Sequence, residues 1–178
     1  MIEGADDSPF PADYLRQPWK NGKGTTTELW RHSRDGQMLA RLSRATVAKD
    51  GPFSLFSDVD RNLTVLTGPG FRLTGPGIDL ACLPLQPVAF PGDVTVVATG
   101  TGGTASTDFN VMTARDLVTA EVAVARDTAL PAGGRLALYA LGPARIDGQD
   151  LPPDHLALTD NAVQVDGGPV LAIRLLGL

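Results

Sequence analysis

Histidine and cysteine are scarce in this chain of 178 residues, which has two histidines and one cysteine. A single cysteine cannot form an intramolecular disulfide. The usual transition-metal sites need three or four ligands, with histidine or cysteine dominant. Nothing in the sequence places His32 and His155 together, so we predict a protein that holds neither a metal nor another cofactor.

Long apolar runs and clustered positive charge are also lacking. No run approaches the ~20 apolar residues that cross a bilayer, and the acidic start "MIEGADDSPFPADYL" has no apolar segment typical of a signal peptide. The net charge is −5, whereas nucleic-acid binding needs a clustered positive field. We therefore expect a cytoplasmic protein that binds neither membrane nor nucleic acid. A small anion is compatible with this composition, and a homodimer stays open.

Glycine and proline are abundant, with 20 and 14 residues, and they separate short apolar stretches. This punctuation is typical of all-β proteins. Alternation at a period of two predicts half-buried strands around Leu63/Val65, Phe71/Leu73, Ile78/Leu80/Cys82 and Val94/Val96. Five further strands are predicted at 120–126, 135–141, 155–160, 162–166 and 169–176. Cys82 is interpreted as a buried core thiol.

The strands fall into two halves, about 1–115 and about 116–178, with no linker between them. Closing or stacking sheets removes exposed strand edges. We therefore predict an all-β protein built as a double-sheet barrel or a duplicated one, with at most one or two short helices.

The familiar nucleotide-binding motifs are excluded. In "RQPWKNGKGTTTELW", Gly22-Lys23 is followed by Gly24, whereas a phosphate loop requires Ser or Thr there and a glycine at the position of Gln17. The two Gly-Pro-Gly stretches lack the third glycine and the helix of a dinucleotide fingerprint, so they are interpreted as hairpin turns.

Three segments combine polar and aromatic side chains and are the candidate binding regions. In the first, Thr26, Glu28 and Trp30 are expected to share one face of a strand. The candidate residues of the three segments are Trp19, Lys20, Asn21 and Glu28; Arg41, Ser43, Phe53 and Phe56; and Asp108 and Asn110.

Each segment also has a purely structural interpretation. Trp19 could close one end of a barrel, with Asn21-Gly22 as a hairpin turn. Glu28 and Arg41 could form an ion pair between neighbouring strands. Asp108 and Asn110 could close an Asx-turn.

The three segments taken together, in their order, resemble the HutD/Ves family. The resemblance is carried by "PWKNGKGTTTEL", "RLSRATVAKDGPFSLFSDVDRNLTVLTGPGFRL", "FPGD" and "DFNVMTAR", over more than half of the chain. Membership would imply a cupin-superfamily fold of two β-barrel halves (a bicupin) in a cytoplasmic bacterial protein. It would also imply a link to histidine utilisation, as a regulator or small-molecule binder without a secure enzymatic activity. The chain departs from the family pattern at Lys23, Thr27, Ala40 and Ala114.

The resemblance carries the polar candidates over to matching positions, and the barrel geometry gives them roles. Lys20 and Asn21 would lie at the rim, and Glu28 and Arg41 would point inward. A lysine, an amide and an arginine suit a carboxylate, and Trp19 with Phe53 or Phe56 would cover a flat ligand.

Two functions of different class follow. The first is a metal-free cupin that binds a small carboxylate, such as urocanate or a formylated acid, as a sensor or regulator. The second is an isomerase or hydrolase with Glu28 as general base and Arg41 or Lys20 as electrostatic stabilisers. A scaffold with a vestigial pocket is a weaker third interpretation.

Overall fold

The computed structural model of the chain describes residues 15–18 and 24–178. All regular elements within those residues are β-strands, and none of the described residues forms a helix able to cross a bilayer. The all-β prediction is therefore confirmed for this part of the chain. Contacts divide the chain into two compact units, an N-terminal unit spanning Asp13–Leu117 and a C-terminal unit containing Val118–Leu178.

The N-terminal unit has a six-stranded and a four-stranded sheet. Its strands are β1 (Leu15–Pro18), β2 (Gly24–Arg34), β3 (Gln37–Val47), β4 (Gly51–Pro52), β5 (Val59–Thr67), β6 (Phe71–Gly75), β7 (Ile78–Cys82), β8 (Val88–Pro91), β9 (Val97–Thr99) and β10 (Ser106–Ala114). The larger sheet has the order β1-β2-β3-β10-β5-β8 and the smaller has the order β4-β9-β6-β7. The ladders in both sheets are antiparallel.

Apolar side chains from both sheets form one core in this unit. Leu63 and Val65 of β5 pack in the same cluster as Leu73 of β6 and Cys82 of β7. Cys82 is 1% exposed, which confirms the prediction of a core thiol. The period-two alternation of β5 to β7 is thus explained by burial of one face.

Two connections depend on residues that tolerate positive φ, namely the hairpin turn between β2 and β3 and the link from β5 to β6. Strands β5 and β6 lie in different sheets, so the first Gly-Pro-Gly stretch is not the hairpin turn that the sequence predicted. Asp35 and Gly36 join β2 to β3 with φ values of 51° and 80°, the signs that a two-residue type I′ turn requires. Gly70 directly precedes β6 and has a φ of 84°, and a Cβ there would lie 2.1 Å from the carbonyl oxygen of Cys82. A side chain at Gly70 would therefore separate β6 from β7.

The C-terminal unit consists of two four-stranded sheets. Its strands are β11 (Thr119–Ala125), β12 (Thr128–Leu130), β13 (Arg135–Ala140), β14 (Ala144–Ile146), β15 (Gln149–Leu151), β16 (Leu156–Thr159), β17 (Val163–Gly167) and β18 (Val170–Leu176). The sheet orders are β11-β18-β13-β16 and β12-β17-β14-β15. Leu138, Val170, Ile146 and Val165 contribute to a core shared by both sheets.

The structure corrects two parts of the predicted fold. The described sheets do not close into barrels, because the paired sheets of each unit meet through apolar side chains rather than through a continuous hydrogen-bonded ladder. Val94 and Val96 lie outside any strand, because a turn at Gly92-Asp93 follows β8 and β9 begins only at Val97. The arrangement as a bicupin of two halves stays a prediction.

Candidate functional site

The candidate site lies on the core-facing side of the six-stranded sheet in the N-terminal unit. Residues directly opposite each other on neighbouring antiparallel strands share a face. Leu63 and Phe90 belong to the core, so the residues in register with them face the core as well. Two adjacent rows result: Glu28, Ser43, Asn110 and Leu63; and Arg31, Arg41, Met112, Arg61 and Phe90.

A β-bulge in β2 determines which of its side chains join these rows. Glu28 pairs with Ser43 and Trp30 pairs with Leu42, so Leu29 is an extra residue. Beyond the bulge the alternation is reversed, and Arg31 pairs with Arg41. The prediction that Trp30 shares a face with Glu28 is therefore wrong, because the inserted residue turns Trp30 to the other face, where it stacks on His32.

Glu28 is the acceptor of two arginines in this site. Arg31 donates from Nε and Nη2 to the two carboxylate oxygens at 3.0 and 2.9 Å, and Arg41 Nε donates to Oε2 at 2.5 Å. The hydrogen bond from Arg31, followed by that from Arg41, lowers the pKa of Glu28 against the opposing effect of burial. Glu28 and Arg41 thus meet as the sequence predicted, with side chains 17% and 12% exposed.

Arg61 is a buried guanidinium at the centre of the second row. The residue is only 6% exposed, and its Cζ lies 5.3, 5.5 and 5.0 Å from the ring centroids of Phe53, Phe56 and Phe90. Three aromatic faces stabilise a cation by cation–π contact. Burial nevertheless lowers the pKa of Arg61 to about 10.

The hydrogen bonds of Arg61 go to neutral acceptors. Nε and Nη2 donate to Oδ1 of Asn110 at 3.2 and 3.0 Å, and Nη1 donates to the carbonyl oxygen of Ser54 at 3.3 Å. Among residues 15–18 and 24–178, no carboxylate forms an ion pair with Arg61. The guanidinium is therefore buried without a direct counter-ion in the described part of the chain.

Asn110 connects Arg61 to a buried carboxyl group. Its Nδ2 donates to Oδ1 of Asp108 at 3.2 Å. Asp108 is 0% exposed, and its Oδ2 has no hydrogen-bond partner among the described residues. Burial is the main reason that the pKa of Asp108 rises to about 7. Asp108 and Asn110 lie within β10, so their interpretation as an Asx-turn is wrong.

The charges on this face favour an anionic ligand. Three guanidinium groups, of Arg31, Arg41 and Arg61, lie near two carboxyl groups, of Glu28 and Asp108. The face is net positive even when both carboxyl groups are ionised. Guanidinium groups are weakly hydrated and match the planar geometry of carboxylates.

The remaining predicted residues have different outcomes. Ser43 is buried between Glu28 and Asn110 in the first row. The rings of Phe53 and Phe56 contact the guanidinium of Arg61, and their role as covers of a flat ligand stays a prediction. The rest of the first candidate segment, Trp19, Lys20 and Asn21, lies outside the described residues.

A metal centre is not apparent in the described part of the chain. Those residues contain no group of three or more His, Cys, Asp or Glu side chains that could hold an ion. His32 lies in β2 of the N-terminal unit, and His155 precedes β16 in the C-terminal unit. The metal-free site stays a prediction.

Arg31 and Arg61 were missed by sequence reasoning, for different reasons. Arg61 alternates in step with the apolar Leu63 and Val65 along the same strand. This pattern could have predicted that Arg61 faces the core. Arg31 lies three residues after Glu28, so in a regular strand the two side chains would point to opposite faces. The bulge brings Arg31 to the same face as Glu28.

Two of the quoted sequence blocks meet at an ion pair beside this site. Arg115, which ends "DFNVMTAR", donates to both carboxylate oxygens of Asp93 in "FPGD" at 2.7 and 3.0 Å, and its Nε donates to Asp60 at 2.8 Å. These contacts join the end of β10 to the turn after β8. They hold β10, which carries Asp108 and Asn110, in place next to β5.

Sequence comparisons match the chain to a family model and to curated relatives. The HutD family model matches residues 11–166. An uncharacterised 21.2 kDa protein in the hutC 3′ region of Pseudomonas putida is 42% identical over 103 residues, which are 56% of this chain and 54% of that protein. Protein Ves of Citrobacter koseri is 40% identical over 121 residues, 66% of this chain and 62% of that protein. The chain thus spans between about half and two thirds of these curated relatives.

Solved structures give matches over nearly the whole chain. HutD from Pseudomonas fluorescens SBW25, in a structure from a formate condition, has a TM-score of 0.85 at 28% identity and covers 100% of this chain and 98% of that one. A conserved protein of unknown function from Pseudomonas aeruginosa PAO1 has a TM-score of 0.79 at 30% identity, with 99% and 98% covered. A cupin 2 conserved barrel domain protein from Leptotrichia buccalis has a TM-score of 0.54 at 9% identity, with 87% and 89% covered. This last likeness concerns the fold alone, which is cupin-like.

Proposed function

Because the chain belongs to the HutD family, we propose that it binds a small carboxylate metabolite at Arg61 and Arg41, without a metal. In this proposal the protein acts as a sensor or regulator linked to histidine utilisation. The ligand class includes urocanate and formylated acids, as the sequence predicted. The gene of the Pseudomonas putida relative lies in the hutC 3′ region. This location supports the proposed link of our chain to histidine utilisation by similarity alone.

One observation carries the proposal, namely the buried Arg61 without a carboxylate partner among the described residues. A buried charge without a directly hydrogen-bonded counter-ion is costly, and Asp108 acts on Arg61 only through space and through Asn110. A guanidinium held at 6% exposure by three rings and two neutral acceptors is therefore prepared for an anion that arrives from outside. Arg41 lies in the same row and supplies a second cation.

The state of Glu28 favours binding over catalysis. A general base works best when its pKa lies near the working pH. Arg31 and Arg41 occupy both oxygens of Glu28 and lower its pKa, so Glu28 is a weak base. The alternative of an isomerase or hydrolase that uses Glu28 therefore has less support than a binding site.

A thermal-shift screen with paired ligands tests the proposal. Each carboxylate, including formate, urocanate and N-formylglutamate, is compared with its uncharged amide or ester. Binding to the native state alone stabilises it by about 2.7 kcal/mol at a hundredfold excess over Kd. We expect carboxylates to raise the melting temperature and their neutral partners to leave it unchanged.

An Arg41→Gln variant identifies the site of any stabilisation. Glu28 keeps Arg31 as a partner in this variant, so the fold is expected to persist while carboxylate binding weakens. An Arg135→Gln variant, which removes an exposed arginine from the C-terminal unit, is the matched control. Equal stabilisation by carboxylates and their amides would contradict the proposal, as would equal binding by both variants.

A further inference from the structure

Asp108 occupies an unusual position for an acidic side chain. It is fully buried, it accepts one hydrogen bond from Asn110 Nδ2, and its Oδ2 accepts none from the described residues. Buried polar atoms are normally satisfied, and a carboxylate needs several donors to remain ionised in an apolar environment. The local geometry therefore suits a carboxyl group that holds a proton more readily than one in water.

The charged and titratable groups around Asp108 come from four strands. Arg61 of β5 is the cation that supports its ionised form, through space and through Asn110. Glu28 of β2 and Arg41 of β3 form their own ion pair on the same sheet face. Cys82 of β7 in the facing sheet is a thiol whose pKa rises through burial and, to a smaller degree, through Asp108.

We infer that carboxylate binding at Arg61 is coupled to the uptake of one proton by Asp108. The inference rests on the proposed function, since it concerns the same site. A bound anion offsets the positive charge of Arg61, which supports ionised Asp108 together with the hydrogen bond from Asn110. The proton comes from solvent and binds to the carboxyl group of Asp108, which becomes a neutral acid. Asp108 is thus a positioning residue that acts on the ligand through Asn110 and Arg61.

The direction of the pH dependence follows from linkage. The pKa of Asp108 is about 7 without ligand and higher when an anion is bound. Below pH 7 Asp108 is already protonated in the free protein, so the affinity for the anion does not change with pH. Above pH 7 each binding event must take up a proton, so affinity falls by up to tenfold per pH unit until the pKa of the complex is reached.

Sodium formate is a suitable probe because its own carboxyl group stays ionised throughout the neutral range. Its Kd is measured by calorimetry at pH 6.0 and 8.5 at constant ionic strength. We expect the wild type to bind about tenfold or more weakly at pH 8.5. Calorimetry near pH 7.5 in two buffers of different ionisation enthalpy counts the protons, and we expect an uptake of up to about three quarters of a proton per formate, because free Asp108 is already partly protonated at that pH.

An Asp108→Asn variant mimics the protonated carboxyl group and can keep the hydrogen bond from Asn110. We expect its formate affinity to agree within about twofold at the two pH values. Asp79→Asn, which changes an exposed aspartate of the same unit, is the control and should keep the dependence of the wild type. Should Asp108→Asn fail to fold, the carboxyl ¹³C titration of Asp108 in the wild type, with and without formate, replaces it.

The outcomes separate the two proposals. Formate binding that is independent of pH, without proton uptake, overturns the coupling and leaves the carboxylate site standing. A pH dependence that persists in Asp108→Asn, or an Asp108 titration unmoved by formate, also overturns the coupling. Absence of formate binding at pH 6.0 overturns both the coupling and formate as a ligand of the site, and absence of binding by all carboxylates overturns the proposed function.

Discussion

Replacement of Arg61 by methionine tests whether this arginine serves ligand binding or the stability of the fold. Methionine has a similar apolar length and can fill the space among Phe53, Phe56 and Phe90. The variant removes the guanidinium and its donors to Asn110 and Ser54. We expect carboxylate binding to be lost while the free energy of unfolding changes little or falls by no more than about 3 kcal/mol.

The magnitude follows from the pKa of Arg61. Burial lowers the pKa of Arg61 from its ordinary value to about 10, which corresponds to about 3 kcal/mol at 1.36 kcal/mol per pH unit. A base with a lowered pKa is disfavoured as a cation in the folded state, and at pH 7 this cost is fully present because the pH lies below both values. Removal of the charge therefore recovers up to about 3 kcal/mol.

Opposing losses reduce this gain. The variant leaves Oδ1 of Asn110 without its two donors, which costs about 1–3 kcal/mol, and it removes the cation–π contacts, worth about 0.5–1 kcal/mol each at modest desolvation. The sum runs from a gain of about 0.5 kcal/mol to a loss of about 3 kcal/mol, since three rings contact the guanidinium. A guanidinium retained for stability would instead give a loss of about 3–5 kcal/mol on truncation.

Urea unfolding at pH 7 measures the stability change, and calorimetry with the best carboxylate from the screen measures binding. Arg72→Met is the matched control, because Arg72 is 53% exposed and pairs with Asp79. It should bind the ligand like the wild type. An Arg61→Met protein that is destabilised by more than about 4 kcal/mol and still binds carboxylate would refute the reasoning.

Four further predictions concern the described residues and the metal content. Asp108 has a folded pKa near 7 against an ordinary 3.8, so its contribution to stability is present below pH 3.8 and is lost as the pH rises to 7. The loss amounts to about 4 kcal/mol at most; stability curves of Asp108→Asn should lack this fall, and an unchanged fall would assign it elsewhere. Cys82, with a pKa raised to about 12 by burial, should resist iodoacetamide at pH 8 until the protein unfolds, and rapid alkylation of the folded protein would contradict its placement. Arg115→Ala should lower the melting temperature more than Arg145→Ala, whose contacts are more exposed, and equal melting temperatures would show that Arg115 does not hold β10. Elemental analysis should find no stoichiometric Zn, Fe or Mn, and about one ion per chain, lost when His32 or His155 is replaced, would refute the metal-free site.

Alternation made much of the fold predictable. In β5, β6 and β7 the apolar residues fall at every second position and bury one face, so the sequence pattern follows directly from packing. The three-residue strands β12, β14 and β15 could not be predicted in the same way, because three residues are too few to display a period. Closure into barrels was overestimated, since side-chain packing between two sheets and closure of one sheet produce the same alternation.

The candidate site was predictable where strands are regular. Alternation along β3 and β10 is regular at the site, so side chains two positions apart share a face. The antiparallel register then brings together Arg41, Ser43, Asp108 and Asn110. Arg31 depends on one inserted residue, which no local pattern of the sequence marks as a bulge. The rings of Phe53 and Phe56 are recognisable as partners only once Arg61 is known to point between them.

The Nε–H resonance of Arg61 tests the central claim most directly. A buried guanidinium that donates to Asn110 exchanges slowly enough to be observed by ¹H–¹⁵N NMR, and the exposed Arg72 provides an internal comparison in the same unit. Titration with the carboxylate that stabilises the protein best should shift the Arg61 resonance in a saturable manner, with the Kd found by calorimetry, and should leave Arg72 unmoved. Saturable binding by calorimetry with an unchanged Arg61 resonance would contradict the claim that this guanidinium holds the ligand.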